Sequence, residues 1–130
     1  MKSPIIGFHH IAIIVSDYHK SKQFYTELLG AEIIKETYRT ERGSYKLDLK
    51  LSDGSQIELF SFPNSPLRVT NPEARGLRHL AFSVKDLNAA VVFLQHNSVV
   101  CEPIRIDPIT SKRFTFFRDP DGLPLELYEI

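Results

Sequence analysis

Residues 8–18 read FHHIAIIVSDY, and 69 positions later residues 77–87 read LRHLAFSVKDL. The two stretches align without gaps. Further along, DGSQIELF (53–60) aligns with DGLPLELY (121–128) at an offset of 68. Two matches in the same order and nearly the same register mark an internal repeat. The chain of 130 residues is therefore one domain, 1–130, written as two copies of one unit, about 5–62 and 76–130. Between them, 63–75 carries Pro63, Pro66 and Pro72, which fix backbone angles and remove donors, so this stretch reads as an extended connector.

Each copy predicts the same element order. The apolar run 8–15 has strand length and β-branched character. Asp17 is placed to cap a helix over 18–29, with Phe24, Leu28 and Leu29 on its inner face and Gly30 as its stop. Strands follow near 31–38, 45–51 and 56–60, with Asp53-Gly54 turning the last hairpin. The second copy predicts a strand at 77–84, a helix from Asp86 to about His96, and strands near 100–106, 112–118 and 123–129. The unit is βαβββ, and the fold class is α+β.

Alternation along the strands sorts the side chains by face. Ile11, Ile13 and Val15 share one face of the first strand, and Leu80, Phe82 and Val84 share the matching face in the second copy. These bulky faces suit packing under a helix. His10 and Ala12, like His79 and Ala81, share the opposite face, where small neighbours leave space beside the imidazole. In the last strands Ile57, Leu59, Leu125 and Leu127 belong to the helix side, so Glu58 and Glu126 point away from it, with Phe60 and Tyr128. Each copy thus offers one histidine and one glutamate, 48 residues apart in the first and 47 in the second. Two carboxylates brought together are costly without a cation, and two imidazoles plus two carboxylates form an N2O2 set that a divalent ion would neutralise. His9 is the rival of His10, but the repeat aligns His79 with His10 and Arg78 with His9. His19 and His96 fall on helices and read as solvated.

Hairpin register names further candidates. A three-residue Asp53-Gly54-Ser55 loop puts Lys46, Asp48 and Lys50 on the face of Glu58. A four-residue turn over Asp119 to Gly122 pairs Thr115 with Glu126 and brings Arg113 and Phe117 to the same face. Lys50 and Arg113 are then anchors for an anionic substrate group, with Thr115 and Phe60 as further substrate contacts.

Composition bounds the function classes. Sixteen basic residues balance sixteen acidic ones, so no global field draws nucleic acid or an anionic membrane. Hydrophobic residues make up 42% and charged residues 25%, a globular rather than a disordered balance. The lone Cys101 excludes an intramolecular disulfide, a zinc finger and an iron–sulfur site. No apolar run approaches the ~20 residues of a membrane helix, and MKSPIIGFHH lacks the build of a secretory signal. The expectation is a soluble cytoplasmic protein whose partner is a small molecule.

HHIAIIVSD, FYTELLGAE, RHLAFSVKD and FRDPDGLPLELYE resemble the recurring motifs of the vicinal oxygen chelate superfamily (glyoxalase I, bleomycin-resistance proteins and extradiol dioxygenases) and together span nearly the whole chain. QIELFSFP and KRFTFFRDPDGLPLELYE are similar in particular to the small bacterial YaeR-like branch. The resemblance implies two βαβββ modules forming a half-open barrel around a metal site. The family's metal positions fall on His10, Glu58, His79 and Glu126, a set most like that of glyoxalase I. The ion would be one divalent metal: Ni, Zn, Co, Mn or Fe. It implies a metal-dependent lyase or isomerase with Glu126 as the catalytic base and Glu58 second. Two alternatives are a binding protein of the antibiotic-resistance type, metal-free or metal-assisted, and a fosfomycin-type thiol transferase. A homodimer is expected by the same resemblance. In bacterial glyoxalase I an arginine and an asparagine help hold glutathione where this chain has Ile14 and Phe62. A glutathione adduct is therefore not the expected substrate.

Overall fold

Asp17 and Asp86 start the two main helices as the repeat predicts. Each lies in extended backbone, and its carboxylate accepts an N–H of the first turn, Lys20 at 3.1 Å and Ala89 at 3.0 Å. These bonds satisfy donors that a helix start leaves unpaired. The computed structural model describes residues 1–130, which divide into two units, Met1–Ser65 and Pro66–Ile130.

The first unit runs β1 (Ile11–Val15), α1 (Tyr18–Gln23), β2 (Glu32–Arg39), β3 (Ser44–Lys50) and β4 (Gln56–Ser61), forming one sheet in the order β1-β4-β3-β2. The second runs β5 (Leu80–Val84), α2 (Leu87–His96), β6 (Arg105–Ile106), β7 (Arg113–Arg118) and β8 (Pro124–Glu129), in the order β5-β8-β7-β6. In each, the last strand lies inside the sheet, parallel to the first strand and antiparallel to the third. Both units are thus open four-stranded mixed sheets of βαβββ order, and neither sheet closes on itself into a barrel. No helix is long and apolar enough to cross a membrane.

Alternation fixes the cores. Val15, Leu47, Leu49, Ile57 and Leu59 are buried beneath α1 in the first unit, and Leu87, Leu94, Phe117, Leu125 and Leu127 are buried in the second. Helix α1 continues into a π-helical turn, Phe24–Leu28, where Leu29 N–H reaches back to Phe24 C=O. Its buried face is Tyr18, Ser21 and Tyr25, whereas Phe24, Leu28 and Leu29 are only half-buried. The strands are shorter than the apolar runs: His10 and His79 each stand just before the strand they were expected to lie within. The strand expected near 100–106 is only two residues long.

Hairpin register departs from expectation in two ways. In the first unit Leu51 N–H donates to Ser55 C=O at 2.8 Å, so the loop is Ser52-Asp53-Gly54, one residue earlier than expected. Asp48 stands opposite Glu58, and Lys50 opposite Gln56. This keeps every side chain on its expected face. In the second unit Asp119 N–H donates to Leu123 C=O at 3.1 Å, and the Asp119 carboxylate accepts from the N–H groups of Asp121 and Leu123. The loop is therefore Pro120-Asp121-Gly122, three residues rather than four. Phe116, not Thr115, opposes Glu126. A shift of one exchanges the two faces of β7. Thr115 and Phe117 are core residues, with Thr115 Oγ1 donating to Glu102 C=O at 2.6 Å. Arg113 is likewise on the helix side, where it binds the Glu129 carboxylate through Nε (3.0 Å) and Nη2 (2.9 Å) and contacts Asn88 of α2. Arg113 and Thr115 are not on the face of Glu126.

Candidate metal centre

The inner strands β4 and β8 set the glutamates. Glu58 is flanked by Ala12 on β1 and Asp48 on β3, and Glu126 by Ala81 on β5 and Phe116 on β7. Alanine on the parallel neighbour leaves room above the sheet, and the histidine two residues earlier reaches into it. His10 Nε2 lies 3.3 Å from a Glu58 oxygen, and His79 Nε2 lies 3.5 Å from a Glu126 oxygen. Both glutamate side chains are 13% exposed, the imidazoles somewhat more.

A divalent ion fits each pair. Donors about 2.0–2.2 Å from one ion stand roughly 3.0–3.5 Å apart at the usual ligand angles, which matches both separations. The nitrogen facing the carboxylate is Nε2 in both. His10 Nδ1 shares a 2.9 Å hydrogen bond with His9 Nδ1, an outer partner that fixes how the ring of His10 turns. His79 Nδ1 is buried without a partner, and its ring meets the Phe116 ring edge-on, with centroids 5.0 Å apart. Within each unit the pair stands alone, with no third His, Cys, Asp or Glu completing a metal-holding group.

The surroundings of the two glutamates differ. Lys46 Nζ lies 3.9 Å from Glu58 and 3.5 Å from Asp48, so cationic and anionic groups alternate across β3. The corresponding positions on β7 are Phe114 and Phe116. Glu126 thus has His79 and aromatic rings where Glu58 has His10 and a lysine. Phe60 shares the face of Glu58, stacked parallel on Phe62 at 6.0 Å with the Arg39 guanidinium 4.9 Å from its ring centroid. Lys50 is exposed at the end of β3. The sequence reading missed Phe114, Phe116 and Arg105. They line a cavity of about 540 Å³ with His79 and Glu126, together with Arg68–Asn71, Glu73 and Ala74 of the connector.

Behind the site, Glu129 holds the start of α2 by accepting from Leu87 N–H at 2.9 Å as well as from Arg113. The Arg113 guanidinium, then the Leu87 N–H, hold its carboxyl down at about 2. Tyr128 stacks on Phe114 and donates to Asp107 at 2.9 Å, tying the segment before β7 to β8.

Comparison with known proteins agrees with this architecture. A model of the glyoxalase/bleomycin resistance protein/dioxygenase superfamily matches residues 7–127. The chain is 65% identical to the "Uncharacterized protein YwkD" of Bacillus subtilis, covering 95% of this chain and 96% of that one. It is 61% identical to the "Uncharacterized protein YaeR" of Escherichia coli, covering 93% and 94%. The crystal structure of a glyoxalase family protein from Enterococcus faecalis superposes with a TM-score of 0.89 at 47% identity, covering 95% and 97%. More distant relatives carry named activities: a 2-epi-5-epi-valiolone epimerase of an Actinomyces species at 29% identity (96% and 80% covered) and the metallothiol transferase FosB of Staphylococcus epidermidis at 30% (95% and 84% covered). With its repeated βαβββ sheets and matched histidine–glutamate pairs, the chain belongs to the glyoxalase/bleomycin resistance protein/dioxygenase superfamily.

Proposed function

We propose that this protein is a metal-dependent lyase or isomerase, of the kind that moves a proton α to a carbonyl, acting on a small substrate with adjacent oxygens. The observation that carries the reading is the duplicated pair: at matching places, a histidine Nε2 stands 3.3 or 3.5 Å from a glutamate oxygen. His10, Glu58, His79 and Glu126 would hold one divalent ion, Ni, Zn, Co, Mn or Fe. The pairs of one chain or of two chains of a homodimer would supply such a set. When bound, the ion supplies Lewis acidity to the substrate oxygens.

The chain's own residues supply the proton transfer. Glu58 is engaged by both His10 and Lys46, which favours its staying a ligand. Glu126 has only His79 as an ionic partner and aromatic neighbours, so its carboxylate is the freer one to swing and take the substrate proton. Well-placed general bases contribute about 10²- to 10⁴-fold. The epimerase among the relatives supports proton-transfer chemistry on this scaffold. Where glyoxalase I holds glutathione, this chain presents Ile14, which is 56% exposed, and Phe62, which supports a substrate other than a glutathione adduct. The test is metal content per chain after desalting, followed by a panel of 2-oxo and 2-hydroxy compounds scored for solvent deuterium incorporation. Absence of stoichiometric metal after loading would remove the reading.

A further inference from the structure

The cavity beside His79 and Glu126 is lined by four arginines, yet they are not equivalent. Arg78 is paired with Glu73, and Arg68 spends its Nη2 on the carbonyls of Leu77 and Arg78 and its Nε on Thr70. Both hold the connector in place. Arg105 is different. Its guanidinium lies over two rings, 5.0 Å from the centroid of Phe114 and 5.6 Å from that of Phe116, and only Nη2 has a polar partner, Glu102 at 3.3 Å. Arg118 follows Phe114 and Phe116 on the same face of β7, with Nη1 alone engaged, at 3.3 Å from Gly122 C=O.

A guanidinium seated against two aromatic rings, here perpendicular to one another, keeps its charge and is steadied on both sides while its outer N–H groups can still donate. Its donor fork matches the paired oxygens of a carboxylate or phosphate. The platform is shared with the reacting end, because Phe116 also packs against the His79 ring and stands opposite Glu126. We propose that Arg105, seated on Phe114 and Phe116 and assisted by Arg118, receives an oxyanion carried by the substrate, so that the substrate is a small anionic metabolite, a carboxylate or a phosphate ester. The role expected for Arg113 passes to Arg105, which reaches the cavity because β6 pairs Arg105 directly with Phe114. The inference rests on the reading of His79 and Glu126 as the reacting end.

The experiment uses the full chain, stripped of metal with a chelator and, separately, loaded with Zn²⁺, titrated calorimetrically with inorganic phosphate and with malonate. The metal-free chain is expected to bind one of these anions, with Kd rising at least tenfold in Arg105→Gln and less in Arg105→Lys. Phe114→Leu keeps the charge but removes the platform, and should weaken binding by an intermediate factor. Arg75→Gln, outside the cavity, should bind as the wild type does. Binding of phosphate alone identifies a phosphate ester; binding of malonate alone identifies a carboxylate. Unchanged binding in Arg105→Gln, no binding by the metal-free chain, or binding only after Zn²⁺ loading would overturn the proposal. Metal content is read on the same samples: a wild type that binds the anion but takes up no Zn²⁺ keeps the oxyanion receptor and removes the metal reading.

Discussion

Replacing Phe117 by alanine removes a ring that is 1% exposed, on the helix side of β7 and in register with Leu125. A buried Phe→Ala change costs about 3–5 kcal/mol through lost transfer energy and the cavity left behind. A chain of this length has roughly 6–20 kcal/mol of stability, so the loss is a large fraction of the total. With a urea slope of about 2 kcal/mol per M, the unfolding midpoint should fall by roughly 2 M. Phe116→Ala, one position along, removes a half-buried ring from the cavity face and should cost about half as much. Thr115→Val is nearly isosteric, but it leaves the Glu102 carbonyl without its 2.6 Å donor and should cost about 1–2 kcal/mol. The assay is urea denaturation followed by circular dichroism, with the three variants and wild type in parallel. Equal midpoints for the two phenylalanine variants, or a harmless Thr115→Val, would mean that β7 faces the other way, as a four-residue turn after Arg118 demands.

Four further outcomes are expected. His79→Ala should lose bound metal after desalting, whereas His9→Ala should still load at excess metal with affinity lowered about 10- to 100-fold, as for an outer partner of a ligand; equal loss from both would undo the assignment. Glu126→Gln should keep most of its metal while α-proton exchange falls by about 10²- to 10⁴-fold, and Glu58→Gln should retain more exchange at equal loading; the reverse order exchanges their roles. Turnover of the methylglyoxal–glutathione adduct should stay well below the roughly 10 per second typical of enzymes, and a rate above that contradicts the reading of Ile14 and Phe62. Glu129 has a folded pKa of about 2 against an ordinary 4.5, so its contribution to stability is present above about 4.5 and is lost as pH falls toward 2. Arg113→Gln should flatten that part of the stability–pH curve, and an unchanged slope would show that the pair contributes nothing to acid sensitivity.

The repeat made most of the architecture legible, because matched motifs carry matched geometry. Both capping aspartates and the strands that carry Glu58 and Glu126 could be read without coordinates, though not the inner place of those strands in the sheets. The second hairpin could not be read from its own residues, since Asp119-Pro120-Asp121-Gly122 has the composition of a four-residue turn. The Asp119 side chain instead folds over the loop and accepts two N–H groups, leaving its backbone to pair with Leu123. The repeat held the missing signal: carrying the three-residue loop expected in the first hairpin forward by the 68-residue offset puts Phe116 rather than Thr115 on the face of Glu126, as found. The inner face of α1 was illegible for a different reason. Ser21 is buried although polar and small, and the π-helical turn after Gln23 departs from the regular helical period used to assign Phe24, Leu28 and Leu29.

Each glutamate rides on a strand hydrogen-bonded along both flanks, to a parallel neighbour on one side and an antiparallel neighbour on the other. Sliding such a strand would break two ladders at once, so its backbone is a fixed rail and only side-chain torsions remain as degrees of freedom at the carboxylate. Length changes in the loops at 52–54 and 120–122 are absorbed outside the rail. Descendants of this scaffold can therefore lengthen or exchange those loops while the carboxylates of Glu58 and Glu126 keep their positions on the sheet.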